Sequence, residues 1–280
     1  MSELRKRMIR DMQSRNFSPG TQRAYLRAVT GLAQYYHRSP DTIEPEEIQD
    51  YVVHLLSERK LAHSIITGLR LFYTVTLKQD EASVPIQQVK RVTRLPEILG
   101  SEQLERVFAA PCNPKHRVLL MTAYSAGLRV SELVHLKVTD IHSDRMMIRV
   151  DQSKGKKDHY TLLSKRLLGE LRAYWKIKRP AVWLFPGIKR QEPLCARMAQ
   201  KVYAQAVAKA GITRKGGIHT LRHCFATHLL EAGQDIRTIQ LLMGHSSILT
   251  TVRYLQVTSK TLQGTPSPLD LLVVPSGRSD

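Results

Sequence analysis

The sequence predicts a mainly α-helical protein with a small antiparallel β-sheet, an α+β chain built as two domains. Three observations predict it. Apolar residues recur at helical spacing over positions 3–90. Two β-patterned runs, at 146–150 and 159–163, flank a polar hairpin tip. Helical spacing then resumes from 165 to 243. A length of 280 residues exceeds one typical domain, and a hydrophobic fraction of 42% suffices to build a core in each.

The N-terminal 90 residues read as a bundle of four helices. Leu4, Met8 and Met12 mark the first. Ser18-Pro19 punctuates the chain, and Thr21 is read as the cap of a second helix carrying Tyr25, Leu26, Val29, Leu32, Ala33 and Tyr36. A third spans Thr42–Leu56, with an acidic first turn at Pro45-Glu46-Glu47 and an apolar face of Ile48, Tyr51, Val52 and Leu55. Ser64–Leu77 forms the fourth, with Ile65, Leu69, Phe72 and Val75. Residues 91–97 are a basic linker, either a plain tether or a segment lying along a polyanion. In the second domain, 98–262, helices are expected from Ser101, over His116–Tyr124, Lys165–Trp175, Ala196–Ala210, Leu221–Ala232 and Ile236–Met243. The tail 263–280 is polar around one apolar patch, Leu269–Val274.

Composition excludes several classes. No run approaches the roughly 18 apolar residues of a membrane span. No apolar stretch follows the charged start Met1-Ser2-Glu3-Leu4-Arg5-Lys6-Arg7, so neither a signal peptide nor a membrane partner is expected. Cys112, Cys195 and Cys224 are odd in number and lack a CxxC pairing, as in reduced cytoplasmic proteins. The chain carries 43 Lys and Arg against 24 Asp and Glu, net +19. Residues 1–92 hold 14 basic and 10 acidic side chains; residues 93–280 hold 29 and 14. The excess therefore lies beyond the linker. A polyanionic partner accounts for it, because each cation near a phosphate releases condensed counterions. A merely solubilising basic surface is the bland alternative.

Six residues spread over more than 120 positions carry candidate chemistry: Arg129, Lys154, His219, Arg222, His245 and Tyr254. Arginine is the natural phosphate clamp, planar and always charged. His219 and Arg222 stand at i and i+3 and share a helix face. Each residue alone has a duller reading: a helix-end arginine, structural histidines, a half-buried tyrosine. A zinc site from His219, His223, Cys224 and His228 is a further reading, but no acid or cysteine cluster elsewhere completes a metal shell. No phosphate-binding Gly-x-x-x-x-Gly-Lys loop is present, and no cofactor is expected.

Three segments together resemble the tyrosine recombinase (phage integrase) family: 122–133 (TAYSAGLRVSEL), 219–230 (HTLRHCFATHLL) and 242–254 (LMGHSSILTTVRY). The resemblance covers about residues 1–262 and is nearest the Xer-type and integron-type branches. The 95–101 run resembles the family's entry into its catalytic domain. Only about 30 residues separate Leu184-Phe185-Pro186 from His219, so the helical insert of integron-type members is not expected.

The resemblance implies a site-specific DNA recombinase that exchanges strands through a Holliday junction. Its helical core-binding domain and mixed catalytic domain are expected to form a C-shaped DNA clamp. Arg129 and Arg222 would hold the non-bridging oxygens of the scissile phosphate, with His219 donating a further hydrogen bond. His245 would position the phosphate or accept the tyrosine proton. Tyr254 would attack phosphorus to give a 3′-phosphotyrosyl link. Lys154, with Lys156 and Lys157 as rivals, would protonate the 5′ oxygen. Glu132 resembles the acid that supports the first arginine, and His223 a support for the site. The expected partners are double-stranded DNA with an inverted-repeat core site, a homodimer on each site and a homotetramer in the synapse. Thr21, Arg23 and Arg27 on one helix and Ser64, Thr67 and Arg70 on another suit groove and phosphate contacts, as does any solvated helix face. Two other classes remain open: a catalytically silent DNA-binding protein of the same fold, and a type IB topoisomerase.

Overall fold

The computed structural model describes residues 2–58, 63–80, 86, 97–151, 158–213, 216–245, 247–252 and 254. The basic linker up to Pro96, the hairpin tip 152–157 and the tail from 255 onward lie outside the described residues. The chain divides into two units, Met1–Thr93 and Arg94–Asp280.

The first unit is helical. Helix α1 (Glu3–Ser14) buries Met8 and Met12. Helix α2 (Pro19–Tyr36) starts earlier than expected. Ser18 is its cap, accepting the Thr21 N–H at 3.1 Å, and Pro19 fills the first helical position. Thr21 is therefore inside the first turn, because a proline at N1 has no N–H to satisfy and favours the earlier start. Helix α3 (Pro45–Ser57) begins three residues later than the expected Thr42, behind a 3₁₀ turn, Pro40–Thr42. The Glu47 carboxylate accepts the Glu44 N–H at 3.0 Å and fixes the boundary. Helix α4 (His63–Leu71) widens into a π-helical turn, Phe72–Thr76. There the adjacent Phe72 and Tyr73 are both buried, edge to face at 5.3 Å, and Tyr73 donates to the Pro40 carbonyl at 2.7 Å.

The second unit packs helices around a core that runs from Leu99 to Cys224. Helices α5 (Ser101–Ala109) and α6 (Pro114–Ser125) are followed by a short α7 (Val130–Val134). A three-stranded antiparallel sheet follows in the order β1 (Ile141–His142), β2 (Met147–Val150), β3 (His159–Leu162). The sequence pattern had supplied only the last two strands; a two-residue strand is too short to show alternation. Helices α8 (Lys165–Lys178) and α9 (Ala196–Lys209) complete the body. Helices α10 (His219–Glu231), α11 (Ile236–Leu242) and α12 (Ile248–Val252) end the described chain. A small separate apolar cluster of Phe225, Ala226, Leu230, Ile239, Met243 and Tyr254 joins α10 to α11 and to the residue beyond α12 that carries the phenol. Among the described residues no helix is long and apolar enough to cross a membrane.

Candidate active site

The site is built from two turns. The first follows α6, where Gly127 takes φ +60°. A Cβ there would lie 2.3 Å from Cδ1 of Phe225, so glycine is required for both the backbone and the space. This turn delivers Arg129 as the N-cap of α7. One turn on, the buried Glu132 accepts the Arg129 backbone N–H at 2.8 Å and its Nη1 at 2.6 Å. The second turn, Met243-Gly244-His245, closes α11; Gly244 takes φ +58°, and its carbonyl accepts Arg129 Nη2 at 3.4 Å.

Arg222 stands on α10 and is only 1% exposed. Its Nη1 donates to the Gly127 carbonyl at 2.6 Å and lies 3.6 Å from Glu132 Oε2. Its Nη2 donates to the Met243 carbonyl at 2.7 Å and to His245 Nε2 at 2.9 Å. Two guanidinium groups thus share one buried carboxylate, and the 243–244 turn supports both. Burial, with the Arg129 charge adding to it, lowers the Arg222 pKa to about 10, so the group stays cationic at neutral pH.

The same hydrogen bonds fix the state of His245. A guanidinium has no acceptor, so Nε2 must accept and the ring proton sits on Nδ1. Nδ1 then donates to Thr251 Oγ1 at 2.8 Å. Burial first, then Arg222 and Arg129, hold the His245 pKa down at about 3. The imidazole is neutral.

Tyr254 follows α12 and is 4% exposed, with its ring in the apolar cluster. Its hydroxyl lies 3.1 Å from Nδ1 of His223, the residue that follows Arg222 on α10. His223 is held near pKa 4 by burial, then by His219 and Arg222. His219, the first residue of α10, presents one side to solvent and meets His223 edge to face at 4.6 Å. Burial of its packed side, then Arg222 and Arg129, lower its pKa as well.

Five of the six candidate residues are therefore gathered here: Arg129, Arg222 and His245 directly, His219 and Tyr254 through His223. Lys154, like Lys156 and Lys157, lies outside the described residues. The residues of the zinc reading diverge. Cys224 Sγ accepts the Leu99 N–H at 3.2 Å, and His228 Nδ1 pairs with the Tyr124 hydroxyl at 2.9 Å. Among the described residues no group of three His, Cys, Asp or Glu side chains is placed to hold a metal ion.

Two residues of the site escaped the sequence reading. Thr251 gave no signal, because a threonine in a short helix looks like any other. His159 was counted only as part of a strand. Its ring is half-buried and hydrogen-bonded to the Leu242 backbone, within electrostatic reach of Glu132, Arg222 and Arg129.

Both units resemble known proteins. Residues 97–261 match the sequence model of the phage integrase family, and residues 4–81 match the phage integrase N-terminal SAM-like domain. The Sinorhizobium fredii protein y4qK, whose name carries the words integrase/recombinase, is 43% identical over 99% of this chain and 91% of its own. Tyrosine recombinase XerD of Proteus mirabilis is 33% identical over 72% of this chain and 69% of its own. A lambda integrase dimer bound to a core site superposes with a TM-score of 0.73 at 20% identity, over 88% of this chain and 95% of that one; at that identity the likeness speaks for the fold.

Proposed function

Because the chain belongs to the phage integrase family of tyrosine site-specific recombinases, we propose that it cuts and rejoins double-stranded DNA through a 3′-phosphotyrosyl bond to Tyr254. The observation that carries this reading is the pair of arginines on Glu132, with the neutral His245 imidazole on Arg222 and the Tyr254 phenol on the adjacent His223 in the same unit.

Each group has a task. The Tyr254 oxygen attacks phosphorus, and the bond to the 5′ oxygen breaks. Arg129 and Arg222 meet the charge that builds on the non-bridging oxygens, and His219 adds a hydrogen bond. A phenol of pKa about 10 is a poor nucleophile at neutral pH, and two nearby cations lower the cost of the phenolate. Neutral His245 either positions the phosphate or takes the phenol proton at Nε2, once Arg222 turns from that nitrogen to the phosphate. Lys154 gives a proton to the departing 5′ oxygen; this role rests on its sequence position. A 5′-hydroxyl from a second site then attacks the phosphotyrosine and restores the phosphodiester. One bond is exchanged for another of the same kind, so no nucleotide or metal enters the scheme.

The DNA partner is proposed as an inverted-repeat core site, with two copies on each site, four in the synapse and a Holliday junction between the two exchanges. Both units contribute to binding, the second through its basic excess. The silent DNA-binding reading is separated by one experiment. Footprinting on DNA flanking the gene defines the site, and a nicked copy of it is incubated with protein and run on a denaturing gel. A covalent adduct that vanishes in Tyr254→Phe supports cleavage; no adduct on a footprinted site selects the silent protein.

A further inference from the structure

Strand β3 touches both turns whose carbonyls hold the arginines. Residues two apart on a strand share a face, and the inward face of β3 is His159 and Thr161. Thr161, 1% exposed, donates its hydroxyl to the Ala126 carbonyl at 2.9 Å, next to Gly127. Two residues earlier His159, paired in register with Val150, hydrogen-bonds the Leu242 backbone, next to Met243 and Gly244. Helix α11 packs against β3 at this point. The carbonyls of 127, 243 and 244 are the ones that hold Arg222 and Arg129.

From this juxtaposition we infer that His159 is a positioning residue for the recombination reaction, bracing the 242–245 turn from β3 so that both guanidiniums keep their aim. This rests on the cleavage reading above. The ring acts as a neutral donor: burial lowers its pKa, with Arg222 and Arg129 in the same direction and Glu132 and the Leu242 hydrogen bond opposing. Its charge neighbours come from every side: Glu132 on α7, Arg222 on α10, Arg129 before α7 and His245 after α11. Without the brace, the turn is free to drift, and a drift of about 1 Å costs on the order of 100-fold in rate.

The test compares H159A with H159N and H159Q, whose amides can still donate. The first readout is hydrogen exchange in the DNA-free protein at the amides of Met243, Gly244 and His245, which bond the carbonyls of Ile239, Leu241 and Gln240. The second is the adduct rate on the nicked, footprinted site, with DNA affinity and melting temperature measured alongside. H159A should speed exchange at these amides and slow adduct formation by about 10- to 100-fold, with affinity and melting nearly unchanged. The better amide variant should restore both. Unchanged exchange in H159A, or a wild-type adduct rate despite faster exchange, overturns the inference. If no variant folds as stably as the parent, amide variants as slow as H159A overturn it too. A wild-type protein that forms no adduct sinks the cleavage reading instead, and the exchange measurement alone then decides the brace.

Discussion

Arg222 and His245 are bound nitrogen to nitrogen, Nη2 to Nε2 at 2.9 Å, so the arginine dictates which imidazole nitrogen carries the proton. The lone pair at Nε2 faces the guanidinium, and Thr251 receives the proton side. His245 enters any reaction as a neutral group whose acceptor is aimed where the arginines converge.

Thr251 satisfies the Nδ1 proton that Arg222 leaves on that side. Thr251→Val keeps the shape and deletes the acceptor, leaving a buried Nδ1–H unpaired at a cost of about 1–3 kcal/mol. Because Arg222 still donates to Nε2, nitrogen-15 spectra of the valine variant should keep the His245 proton on Nδ1 but move the Nδ1 resonance as its hydrogen bond is lost, with adduct formation slowed. Thr251→Ser should behave as the parent. An unchanged spectrum in Thr251→Val would contradict the assignment.

Glu132 pairs with two cations, at 2.6 Å from Arg129 and 3.6 Å from the buried Arg222. Glu132→Gln leaves both uncompensated. Breaking a buried pair from one side costs about 3–5 kcal/mol, so urea unfolding should show a loss of that order. Glu132→Asp should recover part of it. A loss below about 1 kcal/mol would mean the carboxylate is not needed to keep the arginines buried.

Glycines at positive φ separate strain from crowding. Gly211 takes φ +68° with open space around its missing Cβ; Gly127 takes φ +60° against Phe225. Gly211→Ala should cost only the left-handed backbone penalty, about 1–2 kcal/mol. Gly127→Ala should cost at least about 3 kcal/mol, with the overpacking included. It should also displace the carbonyl that holds Arg222 and lower adduct yield. Equal thermal shifts for the two variants would refute the crowding.

Acid should weaken the fold through two histidines. His223 and His245 have folded pKa values of about 4 and about 3, below the usual value of about 6.5. The unfolded chain therefore takes up protons first. Stability from these groups is whole above about pH 6.5 and falls as pH drops toward 4. Each contributes up to about 1.4 kcal/mol per pH unit, less where solvent reaches the ring. His223→Gln should remove one group's share of the slope of stability against pH between 6 and 4.5, up to about 1.4 kcal/mol per pH unit. A slope independent of His223 would contradict its neutral, buried state.

Much of this protein was legible in the chain itself. Helical periodicity gave α1–α4 and the later helices except the short α7 and α12 to within a few residues, because burial of one face repeats every three to four positions. The order of Arg129, His219-x-x-Arg222, Gly244-His245 and Tyr254 pointed to one family and one chemistry, because phosphate handling needs these residue types whatever surrounds them. Less was legible where contact partners lie far apart. β1 is too short to alternate, and Ser18 rather than Thr21 caps α2 because the proline between them decides the start.

What the sequence determined by itself was the roster: which side chains are available, on which elements, and with what charge. What only the tertiary structure decided was their state. Glu132 serves two arginines, His245 is neutral with its proton on Nδ1, and β3 reaches both turns through Thr161 and His159. Protonation, tautomer and aim depend on burial and on hydrogen bonds between positions up to 115 residues apart, as between Arg129 and Gly244. Such distances exist only once the chain has folded.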